Sequence, residues 1–275
     1  MPDALSRLLR TPQGVIGLVL VVLAIVAAAV GPLIAPYSPE QFHITARFRG
    51  PGPDFWLGTD QFGRDLLSRI LLGARPTLLL AVLATVIGTG IGAVIGTLSA
   101  FMGGRADEAI MRTVDAVMAI PGLLFALLIV TAIGANAFNA LIAIAIAFAP
   151  SMARITRSVA LTVRKQDYVN AALARGESSR FIVLSEMLPN VIAPIVVETT
   201  IRVAFAVMTL ATLSFLGLGA QPPSSEWGLM VSEARSYLFR NPWMMVWPGL
   251  AIALVAIGFN LLGDGLRDVL NPRAH

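Results

Sequence analysis

Residues 116–153 read AVMAIPGLLFALLIVTAIGANAFNALIAIAIAFAPSMA, 38 positions without a charge, bounded by Asp115 and Arg154. As a single helix this run would be about 57 Å long at 1.5 Å per residue. That is roughly twice the ~30 Å hydrocarbon thickness of a bilayer. The run must therefore fold back. Gly134, Asn136 and Asn139 supply the turn, giving spans near 114–134 and 138–157 whose outer ends return to the side that holds Arg105 and Arg112. Arg154 and Arg157 are placed to snorkel out at the end of the second of these spans.

The composition extends that reading to the whole chain. Of its 275 residues 56% are apolar and 13% charged, against about 25% charged in a soluble domain, and the mean hydropathy is +0.79. Residues 1–13, with Arg7 and Arg10, precede a first span over 14–35 that Pro36 and Pro39 close. Its apolar run exceeds the roughly 7–15 residues of a cleaved leader's core, so it reads as an anchor. A polar, aromatic loop fills 36–75. The stretch 76–104 is free of charge and forms the second span, with Gly88, Gly92 and Gly96 at i, i+4 and i+8 on one face. Small residues at that spacing let two helices approach closely in lipid; a groove lining a substrate path is the other reading. Spans five and six fall near 191–217 and 246–262. The fold class is all-α, a polytopic membrane protein with six transmembrane helices.

Counting basic residues sets the orientation. With both termini inside, Arg47, Arg49, Arg64, Arg69, Arg75, Arg235 and Arg240 lie outside, and most of the other Arg and Lys lie inside. This topological bias accounts for the net charge of +4. No basic face with interleaved aromatics appears, so nucleic acid is not expected as a partner.

Several chemistries are excluded by what is missing. There is no cysteine, and the two histidines, His43 and His275, are far apart in sequence, so no metal site is expected. The one lysine, Lys165, follows Arg164 where a phosphate-binding loop needs glycine. The run Gly263-Asp264-Gly265 lacks the preceding glycine of an intramembrane aspartyl protease. The chain is not expected to be an enzyme or to hold a cofactor, and any ATP must be bound by another chain.

Three groups of residues stand out. Within the cytoplasmic segment 160–190, a short helix through Asn170, Ala171 and Ala172 is stopped by Gly176, a residue suited to the left-handed position that closes a helix. Ser178 or Ser179 can cap a second helix, which Pro189, after Leu188, ends before span five. Such a helix–turn–helix reads as a docking knob or as an interfacial amphipathic helix. Glu198 and Arg202 sit at i, i+4 within span five, either as a self-neutralising pair facing the bundle or as a lining of the translocation path. In the outer loop, Asp60, Arg64 and Asp65 beside Gly58 and Gly63 read as an internally braced turn or as a contact for a partner. Trp227 and Trp243 read as interfacial belt residues. Asp264, Arg267 and Asp268 are expected to cap or pair at the exit of span six.

The segment Asn170-Ala171-Ala172, three residues, Gly176, and then Leu188-Pro189 resembles the Glu-Ala-Ala loop of ABC-importer permeases, with Asn170 in place of the usual glutamate. Trp56-Leu57-Gly58-Thr59-Asp60 with Gly63-Arg64-Asp65 is similar to the first outer loop of dipeptide/oligopeptide/nickel permeases. Leu213-Ser214-Phe215-Leu216-Gly217-Leu218-Gly219 and the stretch from Phe259 to Asp268 are similar to the same group. The resemblance is to its second, "C" type, permease subunit and runs from about residue 14 to 273. It implies a type I ABC importer permease fold, with a core over 76–275, in the bacterial cytoplasmic membrane. It also implies a second permease subunit, two cytoplasmic ATPase subunits that bind Mg-ATP, and an extracytoplasmic substrate-binding protein. Di- or oligopeptides are the expected cargo, with nickel, glutathione or another small solute as alternatives. In the resembled family the loop 165–188 couples the permease to its ATPases, and a stand-alone channel or carrier would leave that knob without a task.

Overall fold

Prolines and glycines decide where the helices start, bend and stop. The computed structural model describes residues 7–270. Thr11 caps the first helix, α1 (Pro12–Ile34), by accepting from the Gly14 amide at 3.2 Å, and Pro12 occupies its first turn. Helix α2 (Leu66–Met102) is next, then α3 (Gly104–Met118) and α4 (Gly122–Ile133). Asn136 caps α5 (Ala137–Arg164), and a short α6 (Asp167–Ala174) follows. A helical turn at Ser179–Phe181 continues through six π-helical residues, Ile182–Met187, into α7 (Leu188–Phe215). Two further helices, α8 (Trp227–Ala234) and α9 (Trp243–Leu270), complete the described chain.

Among the described residues five segments are long and apolar enough to cross a bilayer: α1, α2, α5, the continuous Ser179–Phe215 and α9. The α3–α4 pair makes a sixth only as a broken span, bent by 85°. This corrects the straight third span expected at 114–134. Pro121, with φ −53° and ψ 130°, caps α4, and a proline disfavours helix in the residue before it. The remaining α4 has 12 residues, about 18 Å of helix, too short to traverse the hydrocarbon alone.

The helix that carries the second span starts ahead of it: α2 begins at Leu66, before Pro76, where Asp65 caps it by accepting from the Ser68 amide at 2.8 Å and Arg69 is neutralised within the fold. Pro189 does not end a helix. It lies at the seam where π turns, bonded i to i+5 (Leu188 N–H to Val183 C=O), hand over to α-helix, so the backbone bond it lacks falls where the ladder already changes step.

Helices α2 and α5 are in direct backbone contact. A Cβ on Gly88 or Gly92 would lie 2.5 Å from the carbonyl oxygen of Ala145 or Ala149, and one on Gly96 would collide in the same way with that of Ala153. The two small-residue stripes advance together by four residues, so the close-packing reading of the glycines holds. Helix α1 lies against α9 and α9 against α7, around a core that includes Leu78, Val130, Ile144, Val207 and Leu210. A smaller core joins Ala100, Ala160 and Val163 to Val169, Ala172, Ile182, Met187 and Val191 at the opposite end from the outer loop.

Candidate functional site

The segment 160–190 is built on that smaller core. Helix α6 closes with two paired backbone bonds, Gly176 N–H to Leu173 C=O at 3.0 Å and Glu177 N–H to Ala172 C=O at 3.2 Å, with Gly176 at φ +74°. This is the left-handed stop expected from the sequence. Ser178 is the cap of the next turn, accepting from Phe181 N–H at 3.3 Å. Arg164 reaches from the end of α5 to the Ala100 carbonyl at 2.8 Å, tying this end of α5 to the end of α2. The motif residues divide between two faces. Val169 and Ala172 are fully buried against Ile182 and Met187, whereas Asn170, Ala171, Ala174 and Gly176 are exposed and Leu173 is 48% exposed. Leu188 is half-buried and Pro189 exposed, a turn farther on.

At the other end, the outer loop and the 213–243 region form one unit. Gly58 and Gly63 take positive φ, and a Cβ on Gly63 would collide with the His43 carbonyl oxygen. Asp60 accepts from the amides of Phe62 and Arg64 at 2.8 and 2.9 Å and from the Arg64 and Arg69 guanidiniums, the latter at 2.7 Å. Glu233 of α8 closes the cluster, 2.9 Å from Arg64 and 3.1 Å from Arg69. Asn241 donates to the Thr59 carbonyl and Trp247 to that of Leu57. Asp65 caps α2, and Trp56 is left exposed on the surface.

Sequence reading missed Glu233, Asn241 and Trp247. Nothing local marks them; only their partners, distant in the chain, do. Trp227 is not a belt residue. It is 3% exposed, and its indole donates to the Ile70 carbonyl at 3.0 Å. Trp243, 39% exposed, stacks on Trp247. The sequence Leu213 to Gly219 is a helix stop: Leu218 N–H meets Leu213 C=O at 2.8 Å and Gly217 takes φ +79°. Beyond it Glu226 is fully buried, accepting from the amides of Gly228 and Leu229 at 2.9 Å each. Burial pushes its carboxyl up from the ordinary range, against those amides and the Ser214 and Thr77 hydroxyls.

Between α4, α5 and α7 lies a cavity of about 440 Å³, mostly apolar, with Glu198 and Arg202 on its wall. Their side chains are 2.9 Å apart and 28% and 14% exposed. The structure does not leave Arg154 and Arg157 to snorkel: they pair with Asp115 and Asp107 of α3, the Arg157 Nε at 2.6 Å. Asp264, Arg267 and Asp268 lie within α9 rather than beyond it, exposed and without an ion-pair partner among the described residues. No cluster of metal-ligating side chains occurs among the described residues.

A bundle of membrane spans, one of them broken, with an ordered knob at one end and a braced loop at the other, is the architecture of a transport permease. The chain belongs to the binding-protein-dependent transport system inner membrane components, whose family matches residues 88–275. Residues 1–51 match the N-terminal transmembrane domain of oligopeptide transport permease C. The chain is 40% identical over 264 residues to a probable D,D-dipeptide transport system permease of Escherichia coli K12, covering 96% of this chain and 89% of that one. It is 38% identical to a dipeptide transport permease of Alkalihalophilus pseudofirmus, over 98% of this chain and 89% of the relative. A glutathione transport permease of Pectobacterium atrosepticum is 39% identical over 97% of this chain and 89% of its own length. In fold the chain resembles a chain of the inward-facing MetNI methionine ABC transporter, with TM-score 0.59 and 18% identity, over 74% of this chain and 97% of that one. The fold is thus that of a type I ABC importer permease, and the chain is a multi-pass membrane protein of peptide-type ABC transport.

Proposed function

We propose that this chain is one of two permease subunits of an ATP-driven importer that moves di- or oligopeptides across the bacterial cytoplasmic membrane, with both of its termini in the cytoplasm. Two cytoplasmic ATPase subunits bind and hydrolyse Mg-ATP, and an extracytoplasmic receptor delivers the peptide. The chain itself binds no cofactor and leaves its cargo chemically unchanged. The observation that carries this reading is the near full-length similarity to permeases named for dipeptide transport.

The exposed face of α6, with Asn170, Ala171, Leu173 and Ala174, is the surface offered to an ATPase groove, and the buried face holds the knob to the ends of α2 and α5. Closure of the ATPases pushes the knob, and the spans tilt to open outward; hydrolysis resets them. With Asn170 in the position of the family's glutamate, the contact rests on apolar shape rather than on a carboxylate. The test is affinity purification of the tagged chain from native membranes in mild detergent, with mass spectrometry of what accompanies it. A second permease, an ATPase pair and a receptor loaded with peptide are expected. A chain recovered alone, under conditions that keep other membrane complexes intact, would overturn the reading in favour of a stand-alone carrier.

A further inference from the structure

We infer that the cavity between α4, α5 and α7 is a transit site for zwitterionic solutes, at which Arg202 receives a carboxylate and Glu198 an ammonium group. This rests on the peptide-importer reading and deepens it. The cavity's volume of about 440 Å³ falls within the roughly 300–1,000 Å³ of small-molecule sites. Its wall is apolar apart from Glu198, Arg202 and the hydroxyls of Ser151 and Thr209. Both hydroxyls already donate to carbonyls of their own helices, at 3.0 and 2.8 Å, so neither can serve a further acceptor.

The ion pair is incompletely used. Arg202 meets Glu198 through Nη2 at 2.9 Å, and its buried Nε has no acceptor among the described residues. The Phe148 ring lies 5.6 Å from the guanidinium and holds it against α5. A free donor alone does not mark a site, since Arg69 Nε in the braced outer loop also lacks an acceptor among the described residues; Arg202's free donor, by contrast, belongs to a residue on the wall of a cavity. Here a donor remains for an incoming anion.

Charge balance then selects the guest. The wall's net charge is zero, and a surplus charge at membrane depth is costly. A zwitterion can enter between the two side chains, each of its ends facing an opposite charge, and the sum stays zero. A solute with one charge leaves one partner uncompensated. The cavity also spans the two sides of the break at Pro121, with Val117 and Met118 from α3 and Leu123 and Phe125 from α4 on its wall. Any change in that bend alters the room the guest has.

The experiment uses the complete importer, purified with its partners and reconstituted in vesicles with a single receptor. Uptake of dialanine, its C-terminal amide and its N-acetyl derivative is measured at receptor-saturating concentrations for the wild type, R202Q and E198Q. The receptor's own preferences cancel between variants. R202Q leaves the wall negative and should shift the amide-to-dialanine uptake ratio upward by about tenfold, the worth of one charged hydrogen bond. E198Q should shift the N-acetyl-to-dialanine ratio upward by a similar factor. R202K, which restores the charge, should bring the ratio back toward the wild type. Equal loss for all three solutes, or no change in any ratio, would overturn the inference while leaving the importer reading standing. Failure of the wild-type importer to take up any of the three would overturn the peptide reading and the inference together.

Discussion

The carbonyl oxygen of Ala149 lies 2.5 Å from the point where a Cβ on Gly92 would stand, with the Met152 Cβ and the Ala153 amide nitrogen at 2.6 and 2.9 Å. Two of these three atoms are backbone, so no rotamer change can make room. G92A must part α2 from α5, at a cost of about 1–3 kcal/mol of overpacking. Gly90, two residues away and exposed, has open space within 4 Å of the place its own Cβ would take, so G90A should be neutral or stabilising by up to about 1 kcal/mol through helix propensity. Thermal unfolding in detergent compares the two. Equal midpoints would remove the close-contact account of the glycine stripe.

Much of this architecture is readable from the chain because the bilayer enforces it. The uncharged run 116–153 must turn back whatever surrounds it, and glycines at 88, 92 and 96 share a face of any helix they occupy. Gly176 announces its own stop. What stays hidden is whatever depends on partners distant in sequence. Arg69 reads as a loop charge until Glu233, 164 residues away, is placed beside it. The helix of the second span then starts nearly three turns before Pro76, at Leu66. Hydropathy is blind to the bend at Pro121, since both arms contribute to one apolar window. In the candidate coupling segment the sequence marks the residues but not their faces: Asn170 and Ala171 point outward, whereas Ala172 is buried beside them.

The Asp60, Arg64, Arg69 and Glu233 cluster holds two charges of each sign, so removing one acid leaves a buried cation uncompensated. D60N should destabilise the protein by about 3–5 kcal/mol. Adding R69Q to D60N restores the balance, and the double variant should be less destabilised than the sum of the single changes by at least about 1 kcal/mol. Strict additivity in denaturation midpoints would mean that the four side chains do not act as a unit.

The two faces of α6 make separable predictions. A172E places a charge in the small core with Val169, Ile182 and Met187 and should loosen the whole segment, exposing it to limited proteolysis. A171E and L173E lie on the open face and should leave the proteolysis pattern unchanged. Both should lower copurification of the ATPase subunits and receptor-stimulated ATP hydrolysis by tenfold or more, as about 2 kcal/mol lost at an interface anchor would do. Normal coupling in both exposed-face variants would direct the search for the docking surface away from α6.

Glu226 supplies the last test, because one carboxylate caps α8 while lying wholly inside the protein. Glutamine in its place keeps one acceptor oxygen but turns an N–H2 toward the second amide, at a cost of about 1–2 kcal/mol. Burial holds the wild-type carboxyl above its ordinary range. The folded chain therefore keeps a proton there that the unfolded chain has already released. The stability linked to this group is fully present below the ordinary glutamate range and is lost as pH rises through the raised value in the fold. E226Q has no such proton. Melting midpoints followed from acid to neutral pH should fall more steeply for the wild type than for E226Q, so that the gap between them narrows with rising pH. Parallel curves would show that Glu226 ionises in the fold as readily as it does in water, and the capping geometry would then have to be credited with offsetting its entire desolvation.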